Sequence, residues 1–133
     1  MRFAMNRVLN GLMMVLFATA AIVQYNDPDP VLWMTIYGSA ALCTAFFLGG
    51  RLPFWVPTLL SVLYGTGALY LSAQVFGGVG FFDPTGQEMI GVKEPGREML
   101  GLLFTAGWTA ALAVQVGRRV STEKEKRMSQ TQE

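Results

Sequence analysis

Long apolar runs broken by short polar clusters set the character of this chain. No Lys, Arg, Asp or Glu occurs at 8–25, 31–50, 52–82 or 99–117. A helix needs about 20 mostly apolar residues to cross the hydrocarbon core of a bilayer. The pattern therefore predicts four membrane-spanning helices, at about 6–25, 30–48, 57–76 and 95–117. The third run is too long for one helix, and its glycine-rich end, GGVGFF, reads as loop. A soluble four-helix bundle would need a polar stripe on every helix. The stretches LMMVLFATAAIV and LLFTAGWTAALAV have none. The fold class expected is all-α: an up-down, four-helix transmembrane bundle over residues 1–117, with a polar cytoplasmic tail at 118–133. Arg2 and Arg7 precede the first run and ATA resembles a cleavage site, as in a signal peptide. That run is nevertheless read as a helix that stays in the protein.

Composition agrees with this reading, since only 14% of residues are charged, against about a quarter in soluble domains. The charges also fix an expected orientation, because Lys and Arg in short loops accumulate on the cytoplasmic side. With four helices, both termini and the second loop share one side. That side carries eight of the ten basic residues: Arg2, Arg7, Arg51, Arg118, Arg119, Lys124, Lys126 and Arg127. Six of the nine acids, Asp27, Asp29, Asp83, Glu88, Glu94 and Glu98, fall on the other. Both termini are therefore expected in the cytoplasm, in a multi-pass protein of the bacterial cytoplasmic (inner) membrane.

Two polar clusters then face outward, QYNDPDP at 24–30 and KEPGRE at 93–98. Closing a four-helix ring brings helix four beside helix one, so the clusters are expected to meet at one rim. Asp29–Pro30 reads as a helix start, with a carboxylate N-cap and a proline at the first helical position. Glu94–Pro95 repeats that device more weakly. Capping requires neither Asn26 nor Asp27, nor a cation at Arg97, where the helix dipole disfavours one. The surplus points to a latch in which Arg97 reaches Asp27 or Asp29, or else to a binding site. Trp33 and Tyr37, four residues apart, share a helix face. Trp33 suits the membrane interface, and Tyr37, deeper, would use Gln24 as a hydrogen-bond partner.

These residues resemble the transmembrane protein 220 family. The resemblance is carried by Gln24, Asn26, Asp27, Pro28, Asp29, Trp33 and Tyr37, then by Glu94, Gly96, Arg97, Glu98, Gly101 and Trp108. It implies a small four-helix membrane protein and supplies no reaction, substrate or partner. The outer loop at 77–93 is longer than the family pattern leads one to expect.

Transporters and proton relays usually carry ionisable groups within the membrane, and none occurs centrally in these helices. The chain has no histidine, the commonest metal ligand and general base. Cys43, a lone thiol, reads as a packing residue. No catalytic residue, metal or cofactor is expected. Small residues are frequent instead: Gly38, Ala41 and Ala45 on helix two, GTGA at 65–68, and Gly101, Thr105, Gly107, Ala110, Ala111 and Ala113 on helix four. Such positions let helices approach closely. In the outer loop DPTG reads as a turn, while the tail has a composition that on its own would be disordered.

The function expected is that of a non-enzymatic accessory or structural subunit of a larger membrane complex, for example a photosynthetic or respiratory one. Its partners are the lipid bilayer and other integral membrane proteins, not nucleic acid. The alternative is a protein that binds a lipid head group, small molecule or divalent cation, possibly an enzyme, through Asn26, Asp27, Asp29, Trp33, Tyr37, Glu94, Arg97 and Glu98.

Overall fold

The computed structural model describes residues 2–87 and 91–133; Glu88, counted above among the outward acids, lies outside them. Four helices long and apolar enough to cross a membrane dominate the described residues. They are α1 (Arg2–Val23), α2 (Pro30–Leu48), α3 (Trp55–Gln74) and α4 (Glu94–Thr131). Gln24–Asn26 adds a 3-10 turn after α1, and Val75–Val79 a π turn after α3. No strand forms among the described residues, which hold one isolated antiparallel bridge, Phe82 with Val92. The all-α, four-span class is as the apolar pattern predicts.

The first three helices have 22, 19 and 20 residues. At 1.5 Å per residue each is about 30 Å long, the thickness of the hydrocarbon core. Their surfaces are those of lipid-facing helices. Val8, Leu12, Val15 and Ile22 on α1 are more than half exposed, as are Val62, Leu63 and Leu69 on α3. A soluble protein rarely leaves so much contiguous apolar surface open. Proline in α3 does no harm, because Pro57 lies in the first turn, where backbone N–H groups have no helical acceptor.

α4 departs from its expected end at 117 and runs on to Thr131. Residues 120–133 are all exposed, so tertiary packing does not impose this part of the helix. The apolar part of α4 has already nucleated it, and extension costs far less than nucleation. Glu, Lys, Arg and Met propagate helices well, and Glu123 precedes Arg127 by four residues, the favourable order for an ion pair. Composition alone misses this because it ignores what the tail is attached to.

The chain divides into two compact units, residues 1–58 with 109–133, and residues 59–108. In the first, α1 packs along α2, with Phe17, Trp33, Ile36, Ala40, Cys43 and Phe47 buried. Asn10, 1% exposed, is also inside. Its side-chain amide donates to the Asn6 carbonyl at 2.6 Å and to Gln115 Oε1 at 3.0 Å. Gln115 Nε2 returns a long bond to Asn10 Oδ1, 3.5 Å. This pair sets α1 beside the part of α4 that belongs to the same unit.

The end of α2 is locked twice. Gly50 N–H donates to the Phe47 carbonyl at 3.0 Å, and Arg51 N–H to the Phe46 carbonyl at 2.9 Å. With Gly50 at φ 72°, this is a Schellman motif, which satisfies carbonyls the helix leaves open. Arg119 adds a bond of 3.0 Å to the Phe47 carbonyl, its guanidinium 4.1 Å from the centre of the Phe47 ring. A cation at a helix C-terminus also opposes the negative end of the dipole.

In the second unit, Ser61 on α3 donates to the Ala106 carbonyl of α4 at 3.0 Å. Gly67 faces Leu102 so closely that an added Cβ would lie 3.1 Å from its Cδ1.

The small-residue positions divide. Ala41 is buried, but Ala45 and Gly107 are exposed. A Cβ built at Gly38, Gly65 or Gly107 would meet nothing within 4 Å.

Two results follow for stability in detergent or lipid. Gly50→Ala, forced into a left-handed conformation, should lose about 1–2 kcal/mol, whereas Gly38→Ala should gain up to about 1 kcal/mol; thermal melts compare them. A double-mutant cycle on Asn10→Leu and Gln115→Leu should give a coupling of about 0.6–1.7 kcal/mol, the range of polar pairs between membrane helices.

Candidate functional site

The turn between α1 and α2 is built by its prolines and by one carboxylate. Asp27 N–H closes the 3-10 turn onto the Gln24 carbonyl at 2.9 Å. The residue before a proline is pushed to extended backbone, and Asp27, before Pro28, sits at φ −73°, ψ 152°. From there its Oδ1 accepts the N–H of Asp29 at 3.0 Å, the bond of an Asx turn. Asp29 in turn accepts the first helical bond, from Trp33 N–H at 3.3 Å, with Pro30 opening α2.

The expected Asp29 cap is therefore corrected. Asp29 stands at the N-cap but makes no side-chain capping bond. Its ψ of 62° is outside the extended region from which N-cap side chains reach back to the helix. Asp27, which capping of α2 did not require, is the carboxylate that holds the turn. It is half-buried, and Asn26 and Asp29 are exposed.

Trp33 and Tyr37 do share a face, with ring centroids 5.7 Å apart. Phe17 of α1 extends the cluster, 6.3 Å from Tyr37. Trp33 is 5% exposed, so it packs inside the protein and is not an interface anchor. Phe17 escaped the sequence reading because one more phenylalanine in an apolar helix carries no signal.

In the second unit, the KEPGRE segment starts α4. Lys93, not Glu94, supplies the first acceptor: its carbonyl takes Gly96 N–H at 2.9 Å and Arg97 N–H at 3.1 Å. Glu94 is exposed, while Arg97 and Glu98 are half-buried. Gly96 has a steric reason. A Cβ there would lie 2.9 Å from Phe81 Cδ2 and 3.1 Å from Val92 Cγ1.

The segment before α4 folds back onto this helix start. Lys93 N–H donates to the Phe81 carbonyl and Asp83 N–H to the Gly91 carbonyl, both at 2.9 Å. The DPTG turn forms as expected, with Asp83 Oδ1 accepting the N–H of Thr85 at 2.9 Å and its hydroxyl at 2.5 Å. Among the described residues no three His, Cys, Asp or Glu side chains are grouped to hold a metal ion.

The arrangement defines a class: a polytopic helical membrane protein whose polar residues are concentrated in turns and helix starts. The chain belongs to Transmembrane family 220, whose helix model matches residues 16–114. It is similar to Transmembrane protein 220 of Xenopus laevis, 34% identical over 109 residues, which cover 77% of this chain and 55% of that protein. The chain thus spans about half the length of that relative. No solved structure matches. An integral, multi-pass membrane protein is what these matches support. The relative named is from a frog, so the bacterial cytoplasmic membrane expected above gains no support from it.

The two aspartates of the turn should differ sharply. Asp27→Ala should cost about 1 kcal/mol, the net worth of a hydrogen bond, and Asp27→Asn, which keeps an acceptor oxygen, less. Asp29→Ala should stay within about 0.5 kcal/mol of the parent, as at ordinary surface positions. Thermal unfolding of the three purified variants makes the comparison.

Proposed function

We propose that the protein is a non-enzymatic accessory or structural subunit of a larger membrane assembly, with both termini in the cytoplasm. The observation that carries the proposal is the open backbone at Gly38. A Cβ built there meets nothing within 4 Å, on a helix whose other side is filled by Trp33, Ile36, Ala40 and Cys43. Within hydrocarbon, apolar surface gives no drive to associate, and close backbone approach at small residues is what favours helix contact. The glycine therefore suits the approach of a helix from another chain.

Three further features support the reading. Asp27 is engaged in holding its own turn. Several hydroxyls along the spans bond to their own helices: Thr35 to Val31, Thr44 to Ala40 and Thr66 to Val62. The charged, exposed end of α4 offers a second contact surface in water. The outward excess of acids and the opposite excess of bases support the orientation.

Mild-detergent extraction followed by sizing and partner identification tests the proposal. A discrete assembly with stoichiometric larger partners is expected. Gly38→Leu should release the subunit without lowering its own melting temperature, since the added side chain meets open space in the isolated chain. Elution of the parent protein as a bare monomer would overturn the reading.

A further inference from the structure

The first unit gathers arginines at one end. Asn10 meets Gln115, which fixes the level of α1 against α4. Arg7 lies three residues before Asn10, and Arg118 three residues after Gln115. At 1.5 Å per residue both stand about 5 Å beyond the amide pair on the same side. Arg119 is pinned to the end of α2 through the Phe47 carbonyl, and Arg51 N–H is bonded to the neighbouring Phe46 carbonyl. Four arginines from three parts of the chain thus share one layer.

Their surroundings separate them from a solvated charge run. Arg7, Arg51 and Arg118 are exposed, and no acid of this unit lies near them in sequence before Glu123. All are arginine, and the lysines of this unit, Lys124 and Lys126, come later on α4. Orientation by charge works with either residue. Arginine differs in its planar fork, which binds a phosphate through two parallel bonds. An exposed apolar side chain, Val114, one turn before Arg118 on α4, leads from this layer toward the middle of the spans. Phe54 and Trp55, both exposed, sit at the same end, where α3 starts.

From this we infer that Arg7, Arg51 and Arg118 form a binding site for the phosphate of an anionic phospholipid, with Arg119 tying α4 to α2 beneath it. The apolar side chains beside the layer receive the acyl chains, so the occupant is a lipid and not a free anion. Basic pockets between membrane helices are suited to such head groups.

The test uses the full-length protein in phosphatidylcholine bilayers containing spin-labelled phosphatidylglycerol or spin-labelled phosphatidylcholine. Electron paramagnetic resonance reads the preference for the anionic lipid at the protein boundary. The parent protein should prefer phosphatidylglycerol, and Arg7→Gln with Arg118→Gln should lower that preference by about fivefold for each arginine removed. Lys124→Gln with Lys126→Gln, an equal loss of charge, should leave it unchanged. Should the glutamine pair fail to fold, Arg7→Lys with Arg118→Lys keeps the charge and removes the forks; its preference should still fall. An unchanged preference in the arginine variants, or an equal loss in the lysine variant, would overturn the site. Displacement of the labelled lipid by excess inorganic phosphate would overturn the lipid as its occupant; resistance to phosphate supports it.

Discussion

Every backbone N–H and C=O in the hydrocarbon layer must find a partner within the protein, because no water is there to supply one. Most of this architecture follows from that constraint. It makes the spans helical, and it moves the difficulty to the helix ends, each of which leaves up to four groups open. The ends are where this chain concentrates its polar residues and glycines. At the α1–α2 turn Asp27 holds the N–H of Asp29. At the end of α2, Gly50, Arg51 and Arg119 close the open carbonyls. At the start of α4 the Lys93 carbonyl receives two N–H groups.

The same constraint governs the polar side chains inside the spans. Thr44, Thr58 and Thr105 donate to carbonyls four residues earlier, so their hydroxyls are satisfied within one helix. Asn10 and Gln115 instead satisfy each other across two helices. Among lipid-facing apolar side chains, such a pair gives one register for α1 against α4 where dispersion contacts alone would allow several. That register brings Arg7 and Arg118 to a common level, and with them the proposed phospholipid site. Stability and ligand recognition therefore share a cause at this end of the protein.

Membership of Transmembrane family 220 fixes the kind of protein without fixing an activity. The residues that carry the resemblance turn out to serve several ends. Asp27 and Pro28 shape a turn, Trp33 and Tyr37 form an aromatic cluster with Phe17, and Gly96 makes room for Phe81. Each has a physical reason that needs no substrate. This is why the accessory-subunit reading is preferred to a ligand site at the α1–α2 turn or the start of α4.

The number of spans, the second helix from residue 30 to residue 48 and the DPTG turn were legible in the sequence. Those depend on local apolar length, proline and glycine, which act where they stand. The work of Asp27 was not legible, because choosing between two aspartates in one turn depends on a backbone angle at Asp29. The inward face of Trp33 was not legible either, since an aromatic near a helix end fits an interface and a core equally well. The helical tail depended on its continuity with a membrane span. The Asn10–Gln115 pair joins residues 105 positions apart, and no periodicity in one helix shows which residue of another it will meet. The sequence alone determined that the chain crosses a membrane, because transfer of apolar surface is nearly additive along it. Which polar side chains meet was decided only by the tertiary structure, because a hydrogen bond needs two groups within about 3 Å.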